Sequence, residues 1–195
     1  MLLLKRGGAR LLTLLGLHSV QADESREASL HKNSHITVGG AAPKFTLPDQ
    51  ESKTHALADY RGRWVVLYFY PKDDTPGCTT EACNFRDDLP ALRALNVQIL
   101  GISLDDTKSH ARFAEKYHLP FPLLADTEGD VARAYGALWS IGPLRIAKRH
   151  TFVIDPEGRI AKLYRDVKPA SHSRELRQDL KELQKGPAGT RKPVS

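Results

Sequence analysis

Two cysteines supply the only thiols in this 195-residue chain, and they stand five positions apart in the stretch "DDTPGCTTEAC", at Cys78 and Cys83. The lead-in Thr75-Pro76 has the form of a helix start. Threonine serves as an N-cap, and Pro76 at the first helical position loses nothing through its missing N–H. Cys78 then falls at the third helical position. Unpaired backbone N–H groups and the positive end of the helix dipole there favour the thiolate, the form that attacks electrophiles. The alternative is a free cysteine that packs as a small hydrophobe. On a regular helix five residues separate two Cα atoms by about 8 to 9 Å, and a disulfide requires about 7 Å or less. The two thiols therefore cannot bond while the helix is intact.

The elements that must hold this stretch follow from the patterning around it. "RWVVLYFYP", Arg63–Pro71, is a nearly unbroken apolar, β-branched and aromatic run, which predicts a central strand buried on both faces. After Cys78, the residues Ala82, Phe85, Leu89, Leu92 and Leu95 form an apolar helical stripe, with a kink or restart expected at Pro90. "VQILGISL" and "FPLLAD" predict two further strands. "TKSHARFAEKYH" predicts a helix capped by Thr107 or the preceding Asp pair, and "DVARAYG" a short helix closed by Gly136. Two short strands, "KFTLPD" and "THAL", precede the central one. "HTFVID" and "RIAKLYR" form an antiparallel hairpin around Pro156-Glu157-Gly158, and "SRELRQDLKELQ" is a last amphipathic helix. This order predicts an α/β architecture, a mixed sheet flanked by helices, in one domain over residues 36–184. A tail, 185–195, is expected to be disordered.

Composition excludes several classes. The net charge is +6, but residues 1–40 hold five Lys/Arg against three Asp/Glu, and 185–195 hold three Lys/Arg and no acid. Twenty-one basic and twenty acidic residues remain between them, so the folded part lacks the basic stripe of a nucleic-acid binder. Two cysteines are too few for a disulfide scaffold or, without histidines at ligand spacing, for a structural zinc site. His31 and His35 stand four apart but lie in a polar segment and read as a solvated pair. No cofactor or metal is expected. Residues 1–35 read as a leader and flexible segment: Lys5, Arg6 and Arg10 precede the apolar run Leu11–Val20, then Val20 and Ala22 sit before Asp23 as at a signal-peptidase site. The run is too short to span a membrane. A transit peptide fits almost as well, so the expected location is periplasmic or secreted, with cytoplasmic or organellar as the alternative.

"VVLYFYPKDDTPGCTTEACNFRD" resembles the signature of the peroxiredoxins, and is most similar to the bacterioferritin-comigratory protein (peroxiredoxin Q) branch. The family pattern Pro-x-x-x-Thr-x-x-Cys is met by Pro71, Thr75 and Cys78. The likeness covers about residues 36–184, with "VGGAAPKFTLPD", "FPLLAD" and "RHTFVIDPEGRI" as further matches. It implies a thioredoxin-like fold and thiol-dependent reduction of hydroperoxides. By the same likeness Cys78 is the peroxidatic cysteine, which becomes a sulfenic acid. Thr75 hydrogen-bonds the thiolate or the peroxide, Pro71 shields the pocket, and Arg149 stabilises thiolate and leaving oxygen. Lys148 adjoins Arg149, but the spacing to Phe152 favours Arg149. Glu81 matches an acid that holds the arginine; otherwise it is a first-turn glutamate favoured by the dipole.

Many members of that branch carry a second cysteine five residues after the first, which implies that Cys83 resolves the sulfenic acid as an intramolecular disulfide. Thioredoxin or another dithiol would then reduce it, and the start of the helix would have to unwind locally. Three departures stand outside the reaction centre: Lys44 in place of an acid, Gln50-Glu51 in place of a turn glycine, and the leader. The rival reading is an exported copper- or thiol-handling thioredoxin-like protein without peroxidase turnover. The CxxxxC spacing, Thr75 and the late arginine favour peroxide chemistry. The expected partners are a hydroperoxide and a dithiol reductant, with no nucleic acid and no stable membrane insertion. Nothing suggests an arm for obligate assembly, so a monomer is expected.

Overall fold

The computed structural model describes residues 36–186. The leader, the pair His31 and His35, and nearly all of the tail lie outside the described residues. Strands β1 (Thr46–Pro48) and β2 (Thr54–Ala56) pair antiparallel around a turn. Leu57, read as the end of a strand, instead opens a 3-10 turn, Leu57–Tyr60, because the Asp59 carboxylate accepts the Ala56 N–H and closes the chain back.

The core sheet has five strands in the order β5-β4-β3-β8-β9. Its centre is β3 (Trp64–Phe69), parallel to β4 (Val97–Ser103), which is parallel to β5 (Leu123–Ala125). On the other side of β3, β8 (Thr151–Ile154) runs antiparallel to it and pairs with β9 (Ile160–Tyr164). The helices are α1 (Pro76–Arg93), α2 (Thr107–Tyr117), α3 (Asp130–Ala134) and α4 (His172–Lys185). The expected mixed sheet with flanking helices is thus present.

The unbroken apolar run of β3 has a plain cause: both of its faces are covered. Val66 and Tyr68 face a cluster with Phe85 and Leu92 of α1, Phe113 of α2, and Leu176 and Leu180 of α4. Val65, Leu67 and Phe69 face the opposite cluster with Phe45, Leu57, Tyr60, Tyr135 and Phe152. Helix α2 is capped by Asp106, whose side chain accepts the Ser109 N–H at 2.7 Å.

Two further readings of the sequence differ from the fold. Of the kink or restart expected at Pro90, the restart does not occur: α1 runs through it to Arg93. Pro90 is exposed and sits in the last turn, so the one backbone hydrogen bond it removes lies near the helix end rather than in its interior. A second hairpin, β6 (Leu138–Ile141) with β7 (Leu144–Ala147), occupies a stretch read as having no element. Its apolar residues lie on both faces, which removes the period-two alternation, and Gly142-Pro143 between the strands reads as a breaker.

Candidate active site

Parallel strands β3, β4 and β5 end together at one edge of the sheet, and β8, antiparallel to β3, begins there. The connection from β3 delivers Cys78, and the connection into β8 delivers Arg149. Thr75 is the N-cap, with extended backbone at φ −91°, and Pro76 is the first helical residue, so Cys78 takes the third position. The Thr75 side chain makes no cap bond. Its hydroxyl donates to the Lys72 carbonyl at 3.0 Å, while its own carbonyl accepts the Thr79 N–H at 2.8 Å. Thr75 therefore starts the helix through its backbone and ties down the preceding loop through its hydroxyl. Pro71, at the start of that loop, is half-buried.

Cys78 is 1% exposed. Arg149 reaches it from 71 residues away, with Nη2 donating to Sγ at 3.2 Å. Nη1 of the same guanidinium donates to Oε2 of Glu81, one turn beyond Cys78 on the same helix face. One planar fork thus spans a thiol and a carboxylate three residues apart, a geometry that a lysine ammonium does not offer. Lys148 is exposed, and its backbone N–H donates to the Ala137 carbonyl. Gly77 makes room for this fork: a Cβ there would stand 3.2 Å from Nη2 of Arg149.

Glu81 is the buried partner. Its side chain is 1% exposed, against 20% for Arg149, and its Oε1 has no hydrogen-bond partner. Burial pushes the carboxyl up to about 7, and the Arg149 charge and hydrogen bond pull it only part of the way back. Arg149, by contrast, is raised, because Glu81 and Cys78 outweigh its own loss of water. The two directions reconcile through exposure: the desolvation cost falls on the carboxylate, which is sealed, and the guanidinium keeps some contact with solvent. Tyr68, on the strand below, is fully buried, and burial pushes its hydroxyl well up, with Glu81 adding to the effect.

Cys83 lies on the same uninterrupted helix, half-buried, and both thiols are free. Among the described residues no three His, Cys, Asp or Glu side chains gather to hold a metal.

A buried polar network that motif reading missed anchors the loop between β3 and α1. Asp73 accepts from the Tyr70 hydroxyl at 2.7 Å and meets Nδ1 of the fully buried His110 at 2.8 Å. The Asp73 N–H donates to Asp105, which also accepts from Ser103. One local signal pointed to His110: it stands three and four residues before Phe113 and Ala114, on the apolar stripe of α2. Nothing in the sequence pairs it with Asp73.

A sequence model described as the AhpC/TSA family matches residues 38–163, the span that holds Cys78, Glu81 and Arg149. The chain belongs to the AhpC/TSA family. It is similar to Peroxiredoxin Bcp of Bacillus subtilis (strain 168), 44% identical over 153 residues covering 76% of this chain and 97% of that one. The Putative peroxiredoxin bcp of Coxiella burnetii is 46% identical over 147 residues, covering 72% and 96%. A solved Xylella fastidiosa PrxQ mutant superposes with a TM-score of 0.73 at 34% identity, covering 78% of this chain and 99% of that one. The fold is thus the thioredoxin-like fold of peroxiredoxins, and the chain is a thiol-dependent peroxidase, an oxidoreductase. Among the described residues no helix is long and apolar enough to cross a membrane.

Proposed function

We propose that the chain reduces hydrogen peroxide and organic hydroperoxides through Cys78, with Cys83 as the resolving cysteine. The observation that carries this reading is the Arg149 guanidinium, which donates to Cys78 Sγ at 3.2 Å while Glu81 holds its other arm. The Cys78 thiolate attacks one peroxide oxygen, the O–O bond breaks, and the leaving oxyanion takes a proton to become water or an alcohol. Sγ is left as a sulfenic acid. Arg149 stabilises the thiolate before attack and the charge on the leaving oxygen during it, and it is held for both tasks beforehand. Pro71 shields the Cys78 sulfur from water, and the Thr75 hydroxyl can turn from the Lys72 carbonyl to a bound peroxide.

Cys83 then attacks the sulfenic sulfur and expels water, forming an intramolecular disulfide. Helical spacing forbids this bond in α1 as folded, so the first turns must open. Thr79 and Thr80 lower the helical propensity of that segment. Thioredoxin or a similar dithiol reduces the disulfide, and the chain acts as a monomer. Cleavage after Ala22 would place the mature chain in an exported space, which sequencing the N-terminus of the mature protein would test. The functional test is a peroxidase assay with hydrogen peroxide and thioredoxin. Cys78→Ser is expected to be inactive. Cys83→Ser is expected to form a sulfenic acid, trapped by dimedone, without thioredoxin-driven turnover. Normal cycling of Cys83→Ser would remove it as the resolving residue.

A further inference from the structure

The hairpin β6–β7 carries an apolar face open to solvent. Its register pairs Trp139 with Ile146 and Ile141 with Leu144. Because side chains alternate across a strand, these four share one face of the ribbon. Trp139, Ile141 and Leu144 are 38%, 65% and 60% exposed. They are three of the four large apolar side chains that stand exposed among the described residues. The ribbon is held from its other face. Ala147 is buried, Leu138 packs into the core, and Arg145 Nη1 donates to the Glu128 carbonyl at 2.7 Å. The apolar face is therefore displayed by a supported element.

Its position relates it to the reaction. Glu128 and Gly129 follow β5 at the edge of the sheet where β3 delivers Cys78, and Leu138 lies close to Gly129. Two residues past Ala147 the chain reaches Arg149. Resting on the peroxidase reading above, we propose that this face docks the protein dithiol that reduces the Cys78–Cys83 disulfide. Three side chains expose apolar area on the order of a few hundred Å². A stable interface buries about 800 Å² on each partner, so this face by itself suits a partner that binds, exchanges and leaves rather than a permanent second copy. The partner is a folded protein whose redox-active dithiol is surrounded by apolar surface. Its first thiolate attacks one sulfur of the disulfide, forms a mixed disulfide and releases the other sulfur as a thiolate. Its second thiolate then displaces this chain's remaining sulfur, leaving two thiols here and a disulfide on the partner.

The test is the double variant Ile141→Ser/Leu144→Ser of the full chain, assayed with hydrogen peroxide and either thioredoxin or dithiothreitol. The expected result is a rise of about tenfold or more in KM for thioredoxin, with the dithiothreitol-driven rate unchanged. An unchanged KM overturns the proposal. So does a rate that falls equally with both reductants in this variant and in Ile141→Thr/Leu144→Thr, which keeps strand-forming residues. A parent that scatters light as a dimer, with a monomeric variant of unaltered KM, assigns the face to a second copy and also overturns it. A parent inactive with both reductants would strike the peroxidase reading instead. Docking is then read by titration calorimetry of thioredoxin into the parent and into the Ile141→Ser/Leu144→Ser variant, where equal affinities overturn it.

Discussion

Replacing Arg149 by Met separates what the guanidinium does for the fold from what it does for sulfur chemistry. The starting point is Glu81, sealed at 1% exposure with one oxygen unpartnered. Its carboxyl rises from the ordinary 4.5 to about 7 on folding, so the folded state holds that proton more tightly. The stability this contributes is fully present below about pH 4.5 and lost as pH rises to about 7, an effect of about 3 kcal/mol at ~1.4 kcal/mol per pH decade. Arg149→Met removes the charge that draws the carboxyl down, so the loss continues above pH 7. At pH 8 the variant should be destabilised by about 2 to 4 kcal/mol. That reaches below the range of about 3 to 5 kcal/mol for a broken buried pair, since Arg149 is 20% exposed and the pair is not wholly dry. At pH 5, where Glu81 carries its proton, the deficit should shrink to about 1 kcal/mol. Urea unfolding followed by circular dichroism at the two pH values measures this difference. Adding Glu81→Gln should restore stability at pH 8 to within about 1 kcal/mol. The rate of peroxide consumption should nevertheless stay down about 10²- to 10³-fold, as for loss of a preorganised donor. An equal deficit at both pH values, or full activity in the double variant, would refute the reasoning.

Burial holds the His172 imidazole down to about 4 against an ordinary 6.5. The stability from keeping it neutral is present above 6.5 and lost as pH falls toward 4, opposite in direction to the Glu81 effect and over a similar window. His172→Gln should therefore flatten the acid limb of a stability–pH profile, leaving the Glu81 slope exposed. Gly101→Ala should cost about 1 to 3 kcal/mol in urea unfolding by overpacking, because its Cβ would stand 2.8 Å from Leu123 and the Tyr68 ring. Phe85→Ala should cost about 3 to 5 kcal/mol, since this fully buried ring packs against Tyr68 and His172.

Legibility varied with the range of the interaction. The start of α1 was readable because Thr75, Pro76 and Cys78 act on one another through the backbone of a single turn. The central strand was readable because burial on two faces leaves an unbroken apolar run. Thr75 shows the limit even there: residue type marks a cap, but the hydroxyl bonds the Lys72 carbonyl instead. The β6–β7 hairpin escaped because its pattern serves two apolar faces at once. The Asp73–His110 contact joins residues 37 apart in sequence, beyond the reach of any periodicity. Arg149 was singled out only through the resemblance of "RHTF" to a family motif, since by itself it is one charge at the start of a strand.

By itself the sequence determined the chemistry available and its local setting: two thiols at a spacing that an intact helix keeps apart, the first in the opening turn of that helix. Those facts depend on neighbours within a few residues, where backbone geometry leaves little choice. Only the tertiary structure decided which distant groups face that sulfur. The antiparallel entry of β8 beside β3 carries Arg149 to Cys78 across 71 residues, and the burial of Glu81 sets the charge that the guanidinium must balance. Both depend on exclusion of water by packed elements, and no short stretch of chain can exclude water alone.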